Sequence, residues 1–144
     1  MKILLTISCW LLAVGVFAQN AGELSITINN IYPVEGDIYI AIYDNEDDYM
    51  DIEKVAFQKI AAVEGATQTI IISDVPAGVY AVSVFHDLNG DGELDTNGIG
   101  IPSEPYGFSN DARGRFGPPK FKSTKFAFPA IQEISITLMN NDKD

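Results

Sequence analysis

The chain has 144 residues, of which 20 are acidic and 9 are basic, and its formal net charge is −11. This length is enough for one domain with its own core and too short for two ordinary domains. The negative charge repels phosphate backbones, so we expect no nucleic acid partner.

Residues 1–18 have the features of a secretory signal peptide. Lys2 precedes an apolar run over residues 3–17, and Val16 and Ala18 suit the −3 and −1 positions of a signal peptidase site. The run is short for a membrane span and has no basic flank after it, although an uncleaved anchor is the alternative. We therefore expect cleavage after Ala18 and an exported protein, either periplasmic or extracellular.

The mature chain is then a single domain of residues 19–144 with no transmembrane span. Cys9 would be removed with the signal, so no cysteine remains to form a disulfide. Small exported domains often need a disulfide or a metal in addition to their core. Nothing in the sequence indicates an obligate oligomer.

Alternation with a period of two dominates the mature chain. Leu24, Ile26 and Ile28, for example, alternate with polar residues, as expected for a strand with one buried face. No long helix is evident, so the pattern predicts an all-β fold, an antiparallel Ig-like or prealbumin-like β-sandwich of about seven strands. The predicted strands are 23–29, 37–44, 69–73, 79–86, 125–128 and 133–139, with 55–63 ambiguous between a strand and a helical turn.

Charges are concentrated in two segments. Residues 45–54 are acidic and lack strand alternation, and a short helical turn with Tyr49 and Ile52 facing inward would fit them. Residues 113–125 contain five basic side chains. Two solvated surfaces are one interpretation. The other is a basic rim that binds an anionic ligand.

One long segment, residues 87–120, shows no strand pattern. Loops beyond about 12–15 residues in compact domains are usually functional or disordered. This one is rich in aromatic residues and proline, which favours an ordered loop packed on the sandwich. The side chains expected to fold back are Ile101, Tyr106, Phe108 and Phe116.

The first part of this loop, DLNGDGELD at 87–95, has the oxygen-ligand spacing of an EF-hand calcium loop. A hard cation needs six to eight oxygen ligands, which a coiling chain supplies at every second residue. Position 12 is Gly98, so the usual bidentate carboxylate is absent and we expect a replacement ligand. The candidate metal ligands are Asp87, Asn89 and Asp91 at positions 1, 3 and 5, Glu93 at position 7 through its carbonyl, Asp95 at position 9, and Glu104 as the replacement.

The expected cofactor is calcium. Magnesium prefers to keep its waters in a rigid octahedron, and zinc is disfavoured because the chain has one histidine and one cysteine, the latter in the signal. The alternative is a cluster of Asx turns without metal, since Asn and Asp also favour tight turns.

His86 stands directly before the first candidate ligand. A catalytic role beside Asp87 would need a nucleophile or substrate in reach. By alternation His86 shares a face with Tyr80, Val82 and Val84, which favours an inward histidine that orients the loop through a hydrogen bond.

The central sequence resembles the exported bacterial family known as domain of unknown function 2141. The resemblance lies in VPAGVYAVSVFHDLNGDGELDTNGIGIPSEPYGFSN at 75–110 and GPPKF at 117–121. Departures from the family pattern are Val75, Asp91 and Pro105. The resemblance implies an exported β-sandwich with this loop and implies no established activity.

Three functions are consistent with these observations. The leading hypothesis is a non-enzymatic, calcium-stabilised module of the cell envelope that binds an envelope or extracellular ligand through residues 87–120. The second is a metal-dependent hydrolase or other enzyme using His86, Asp87 and Glu104. The third is a structural accessory domain in which calcium replaces disulfides.

Overall fold

The computed structural model of the protein describes residues 21–141, so the predicted signal peptide lies outside the described residues. Two β-sheets enclose one core, which confirms the prediction of an all-β sandwich; eight strands are described. The strands are β1 (Gly22–Asn29), β2 (Asp37–Tyr43), β3 (Phe57–Ala62), β4 (Thr67–Val75), β5 (Gly78–Asp87), β6 (Tyr106–Phe108), β7 (Phe126–Phe128) and β8 (Glu133–Thr137). Short helical segments are 3₁₀ turns at Ile52–Lys54 and Ser109–Asp111 and one α-helical turn, α1 (Phe121–Thr124).

The smaller sheet has the strand order β4-β1-β8 and the larger one β3-β2-β5-β6, with β7 also paired to β5. All pairs are antiparallel except β1 with β8, which run parallel. No helix within the described part of the chain is long and apolar enough to cross a membrane.

The core lies between the two sheets and follows the alternation in the sequence. Ile26 and Ile28 on β1 and Ile38 and Ile42 on β2 are completely buried. Side chains at every second position of a strand share one face, so these isoleucines face the opposite sheet. Removing such side chains from water stabilises the fold by roughly 1.5–3 kcal/mol each.

The structure corrects the prediction that residues 87–120 lack a strand. β6 lies within this segment and pairs with β5. Tyr106 of β6 also forms an isolated bridge with Met139, two residues after the end of β8. A Cβ at Gly107 would lie 2.7 Å from Ile136 Cγ2, so glycine allows β6 to approach β8 closely. This contact joins the two sheets at one side of the sandwich.

The expected inward aromatic and aliphatic side chains are only partly inward. Phe108 is buried, whereas Phe116 is 97% exposed and Ile101 is 42% exposed. Phe108 belongs to β6 and is fixed by strand pairing, whereas Ile101 lies in the loop before β6 and Phe116 in the loop after it. In the acidic segment, Ile52 is also exposed, while the Tyr49 ring packs edge-on against neighbouring aromatic rings.

Candidate functional site

The loop after β5 coils around the buried carboxylate of Asp87. This residue ends β5 and is 0% exposed. Its Oδ1 accepts a hydrogen bond from the Gly90 amide at 2.7 Å, and its Oδ2 accepts one from the Gly92 amide at 2.9 Å. Both glycines have φ near +80°, a left-handed conformation that glycine adopts without strain. The spacing of the glycines therefore allows the chain to turn around Asp87.

Glu104 closes the same loop from its far end. It is 4% exposed, and its Oε1 accepts a hydrogen bond from the Leu88 amide at 2.8 Å. Its Oε2 accepts one from the Asp95 amide at 3.1 Å. Glu104 thus contacts the backbone of one other candidate ligand, Asp95, and both of its oxygens bind backbone amides.

Asn89, Asp91 and Asp95 form a cluster on the exposed side of the loop. The Asn89 Nδ2 donates to Asp91 Oδ2 at 3.1 Å and to Asp95 Oδ2 at 2.8 Å. Asn89 Oδ1 in turn accepts from the Asp91 amide, and Asp91 Oδ1 accepts from the Glu93 amide. Two carboxylates therefore converge on one amide nitrogen, and the Glu93 side chain is exposed.

The chemistry of this donor set fits calcium, because every candidate ligand offers oxygen. The side chains form no closed coordination shell in these positions: within residues 21–141, no three or more His, Cys, Asp or Glu side chains lie close enough together to hold a metal ion. The Asn89 Nδ2 lies where the carboxylates of Asp91 and Asp95 converge. A cation held by both carboxylates would have to displace this amide group.

Beyond Asp95 the loop forms a small hairpin-like excursion. Thr96 and Pro102 form an isolated antiparallel bridge, and Ser103 donates its amide to the Asp95 carbonyl at 2.9 Å. Asn97 Oδ1 accepts the amides of residues 99 and 101, which stabilises the tip. The excursion presents Ile99, 82% exposed, to solvent.

His86 faces the core, as alternation predicted, and is 0% exposed. Its Nε2 lies 2.6 Å from the Glu35 carbonyl oxygen, so Nε2 carries the donated hydrogen. Nδ1 is buried without a hydrogen-bond partner. The prediction that the His86 side chain hydrogen-bonds the loop is wrong, because its partner, the Glu35 carbonyl, belongs to the turn before β2. The His86 backbone amide does reach the loop, at the Pro105 carbonyl.

An apolar groove on the outer face of the larger sheet was not predicted. Tyr39 on β2 and Phe85 on β5 are cross-strand partners whose rings stack at 4.8 Å, and they line a cavity of about 360 Å³. Leu94, from the loop after β5, and Met50, before the 3₁₀ turn Ile52–Lys54, form parts of its walls. The alternation of Tyr39 and Tyr43 with isoleucines contained the signal, since it places aromatic rings on the outer face.

Tyr43 also lines this cavity. Burial raises the pKa of its phenol above the usual 10.0, so the hydroxyl stays neutral at physiological pH. Tyr43 therefore adds a neutral surface to this cavity, whose acidic lining residue is Glu93.

A second cavity of about 510 Å³ continues the groove. Arg113 and Arg115, both exposed, contribute to its lining. The two cavities have four lining residues in common, so they form one groove: Met50, Leu94, Tyr106 and Phe108. Two of the five basic side chains of residues 113–125 thus lie beside an aromatic surface.

Comparison with known proteins gives one family and no individual relative. No curated protein and no solved structure matches the chain. A family model described as uncharacterised protein conserved in bacteria, domain of unknown function 2141, matches residues 26–137. This match includes seven complete strands, the second half of β1, the loop after β5 and most of the residues that line the groove. The chain therefore belongs to the domain of unknown function 2141 family.

Proposed function

We propose that this protein is an exported, non-enzymatic binding module whose recognition surface is the groove on the outer face of the larger sheet. The observation that carries the proposal is the continuity of the two cavities across Tyr106 and Phe108. Binding sites for small molecules are typically concave, largely apolar and about 300–1,000 Å³ in volume. The stacked rings of Tyr39 and Phe85 supply a flat apolar surface for such a ligand.

The loop 87–104 would position one wall of this groove. The Asp87 carboxylate binds the amide of Gly92, which ends the turn. The aromatic cavity is lined by Gly92 and by the two residues that follow it, Glu93 and Leu94. We propose that calcium binds Asp91 and Asp95 after the Asn89 amide is displaced, with Asp87 and Glu104 holding the loop around it. The cation would neutralise converging carboxylates and restrict the motion of this wall.

The hydrolase alternative has less support. His86 faces the core, and both oxygens of Asp87 and of Glu104 accept backbone amides. None of these three residues lines either cavity of the groove. General acid or base chemistry requires the group to reach a bound substrate.

Export is proposed from the features of residues 1–18, and mass spectrometry of the exported protein should give Gln19 as the first residue.

A neutral apolar dye tests the binding function. N-phenyl-1-naphthylamine fluoresces strongly in apolar surroundings, and we expect saturable binding to the wild type. Ala41→Phe should abolish binding, because Ala41 lines the aromatic cavity and a larger side chain would fill it. Ile71→Phe is the matched control, since Ile71 is exposed on β4 of the other sheet.

Thermal melting of each variant establishes that it is folded. No saturable fluorescence with the wild type, or equal binding by Ala41→Phe and Ile71→Phe, would overturn the proposed function.

A further inference from the structure

The groove has a directional charge distribution, and this gives the chemical class of its ligand. We propose that the groove selects small, soluble, apolar molecules that carry one anionic group, with Arg113 and Arg115 binding the anion. This inference rests on the proposed binding function and adds the substrate class.

The two arginines are positive charges on a strongly acidic protein. Within residues 21–141, ion pairs shorter than 4.0 Å join Lys54 to Asp48 and to Asp51. Neither arginine is therefore neutralised by a direct carboxylate contact in this part of the chain. The Arg115 guanidinium carbon lies 6.0 Å from the centre of the Phe116 ring, a contact that leaves its N–H groups able to bind an anion.

The acidic side chain of the groove, Glu93, lies in the aromatic cavity and not in the cavity that Arg113 and Arg115 line. Glu93 lines the aromatic cavity with Tyr39 and Phe85, whereas the described lining of the arginine cavity contains no acidic residue. An anionic group is therefore repelled from the aromatic end and attracted to the arginine end. The apolar part of the ligand would then extend over Tyr106 and Phe108, which lie in both cavities.

Volume favours a free small molecule over a macromolecular partner. Cavities of about 360 and 510 Å³ match the size range of small-molecule sites. The exposed side chains of Phe116 and Ile99 could instead insert into an anionic membrane, and the experiment separates these two cases.

The test uses two dyes that differ by one anionic group. 8-Anilinonaphthalene-1-sulfonate has the skeleton of N-phenyl-1-naphthylamine plus a sulfonate. We expect the sulfonated dye to bind the wild type more tightly. The double variant Arg113→Gln/Arg115→Gln should weaken its binding about tenfold, equivalent to about 1.4 kcal/mol. Binding of the neutral dye should change less than twofold.

The matched control is Lys122→Gln/Lys125→Gln. It removes the same net charge from exposed positions that do not line the groove. We expect it to leave the affinity for both dyes unchanged. High salt should reduce the preference of the wild type for the sulfonated dye, because exposed charges are screened.

Each outcome has a distinct meaning. Groove-dependent binding of the neutral dye without any arginine effect on the sulfonated dye would overturn this inference alone. Absence of groove-dependent binding of the neutral dye would overturn the proposed function and, with it, this inference. Sedimentation with anionic phospholipid vesicles that Phe116→Ser abolishes, without competition from the sulfonated dye, would show a membrane surface and overturn the small-molecule assignment.

Discussion

The carboxylate of Glu104 accepts a hydrogen bond of 2.8 Å from the amide of Leu88, 16 residues earlier in the sequence. Its second oxygen binds the Asp95 amide, so one buried side chain fixes both the start and the far side of the turn around Asp87. Glu104 is therefore a structural centre of the loop whether or not a cation is bound.

Replacing Glu104 by alanine should destabilise the protein by roughly 2–4 kcal/mol. Two backbone amides would lose their acceptor, and each unsatisfied buried donor costs about 1–3 kcal/mol. Urea denaturation of Glu104→Ala measures this change, with Glu133→Ala on the exposed side of β8 as the control. A Glu104 variant as stable as the control would contradict the role assigned to this carboxylate.

Calcium should raise the melting temperature of the mature protein by roughly 5 °C or more at 10 mM. A ligand that binds only the folded state stabilises it by RT ln(1 + [L]/Kd), about 1.4–2.7 kcal/mol for extracellular-type affinities near 10⁻³–10⁻⁴ M. Melting curves in excess chelator and in calcium provide the measurement. Identical curves would refute calcium binding.

Asp91→Asn should abolish this calcium effect, because it removes one of the two carboxylates that converge on Asn89. The change keeps the shape of the side chain and the oxygen that accepts the Glu93 amide. Asp47→Asn is the control, since Asp47 is an exposed member of the acidic segment 45–54. An equal loss in both variants would mean that general negative potential, rather than a coordination site, attracts the cation.

Most of the fold could be predicted because burial imposes a period of two on strands. The isoleucines of β1 and β2 carry that signal. In the loop, the side chains of Asn89, Asp91 and Asp95 lie together, whereas the Asp87 carboxylate binds backbone amides. β6 was missed because Tyr106 and Phe108 stand in a segment rich in proline and were assigned to the packed loop, although β7, which alternates in the same way over three residues, was predicted. β6 forms because the edge of β5 and the chain after β8 are both available to pair with it.

The groove lies beyond what local patterns report. Its floor comes from β2 and β5, and its walls come from segments near Met50, Leu94 and Arg113 that are distant in sequence. Only the packing of the sheets brings these segments together. Likewise, the partner of His86 is a carbonyl 51 residues away, in the turn before β2.

The aromatic side chains of the segment after Glu104 should differ sharply in their effect on stability. Phe108→Ala should cost roughly 3–5 kcal/mol because it empties a buried position on β6. Phe116→Ala should change stability by less than about 0.5 kcal/mol, since its ring is 97% exposed. Denaturant unfolding compares the two variants directly. Equal stabilities of Phe108→Ala and Phe116→Ala would contradict the assigned packing. Calcium binding should also weaken in Phe108→Ala, because one folded segment links β6 to the loop.

Gly107→Ala tests the contact that joins the two sheets. The added Cβ would lie 2.7 Å from Ile136 Cγ2 and 3.2 Å from the Thr137 carbonyl oxygen, so β6 or β8 must shift. Overpacking of this kind costs typically about 1–3 kcal/mol. Gly98→Ala is the matched control, because its Cβ would meet no atom within 4 Å and its backbone is not left-handed. Thermal unfolding should therefore show a lower melting temperature for Gly107→Ala and an unchanged or slightly higher one for Gly98→Ala. If both variants have the melting temperature of the wild type, β6 does not pack against β8 as closely as this contact requires.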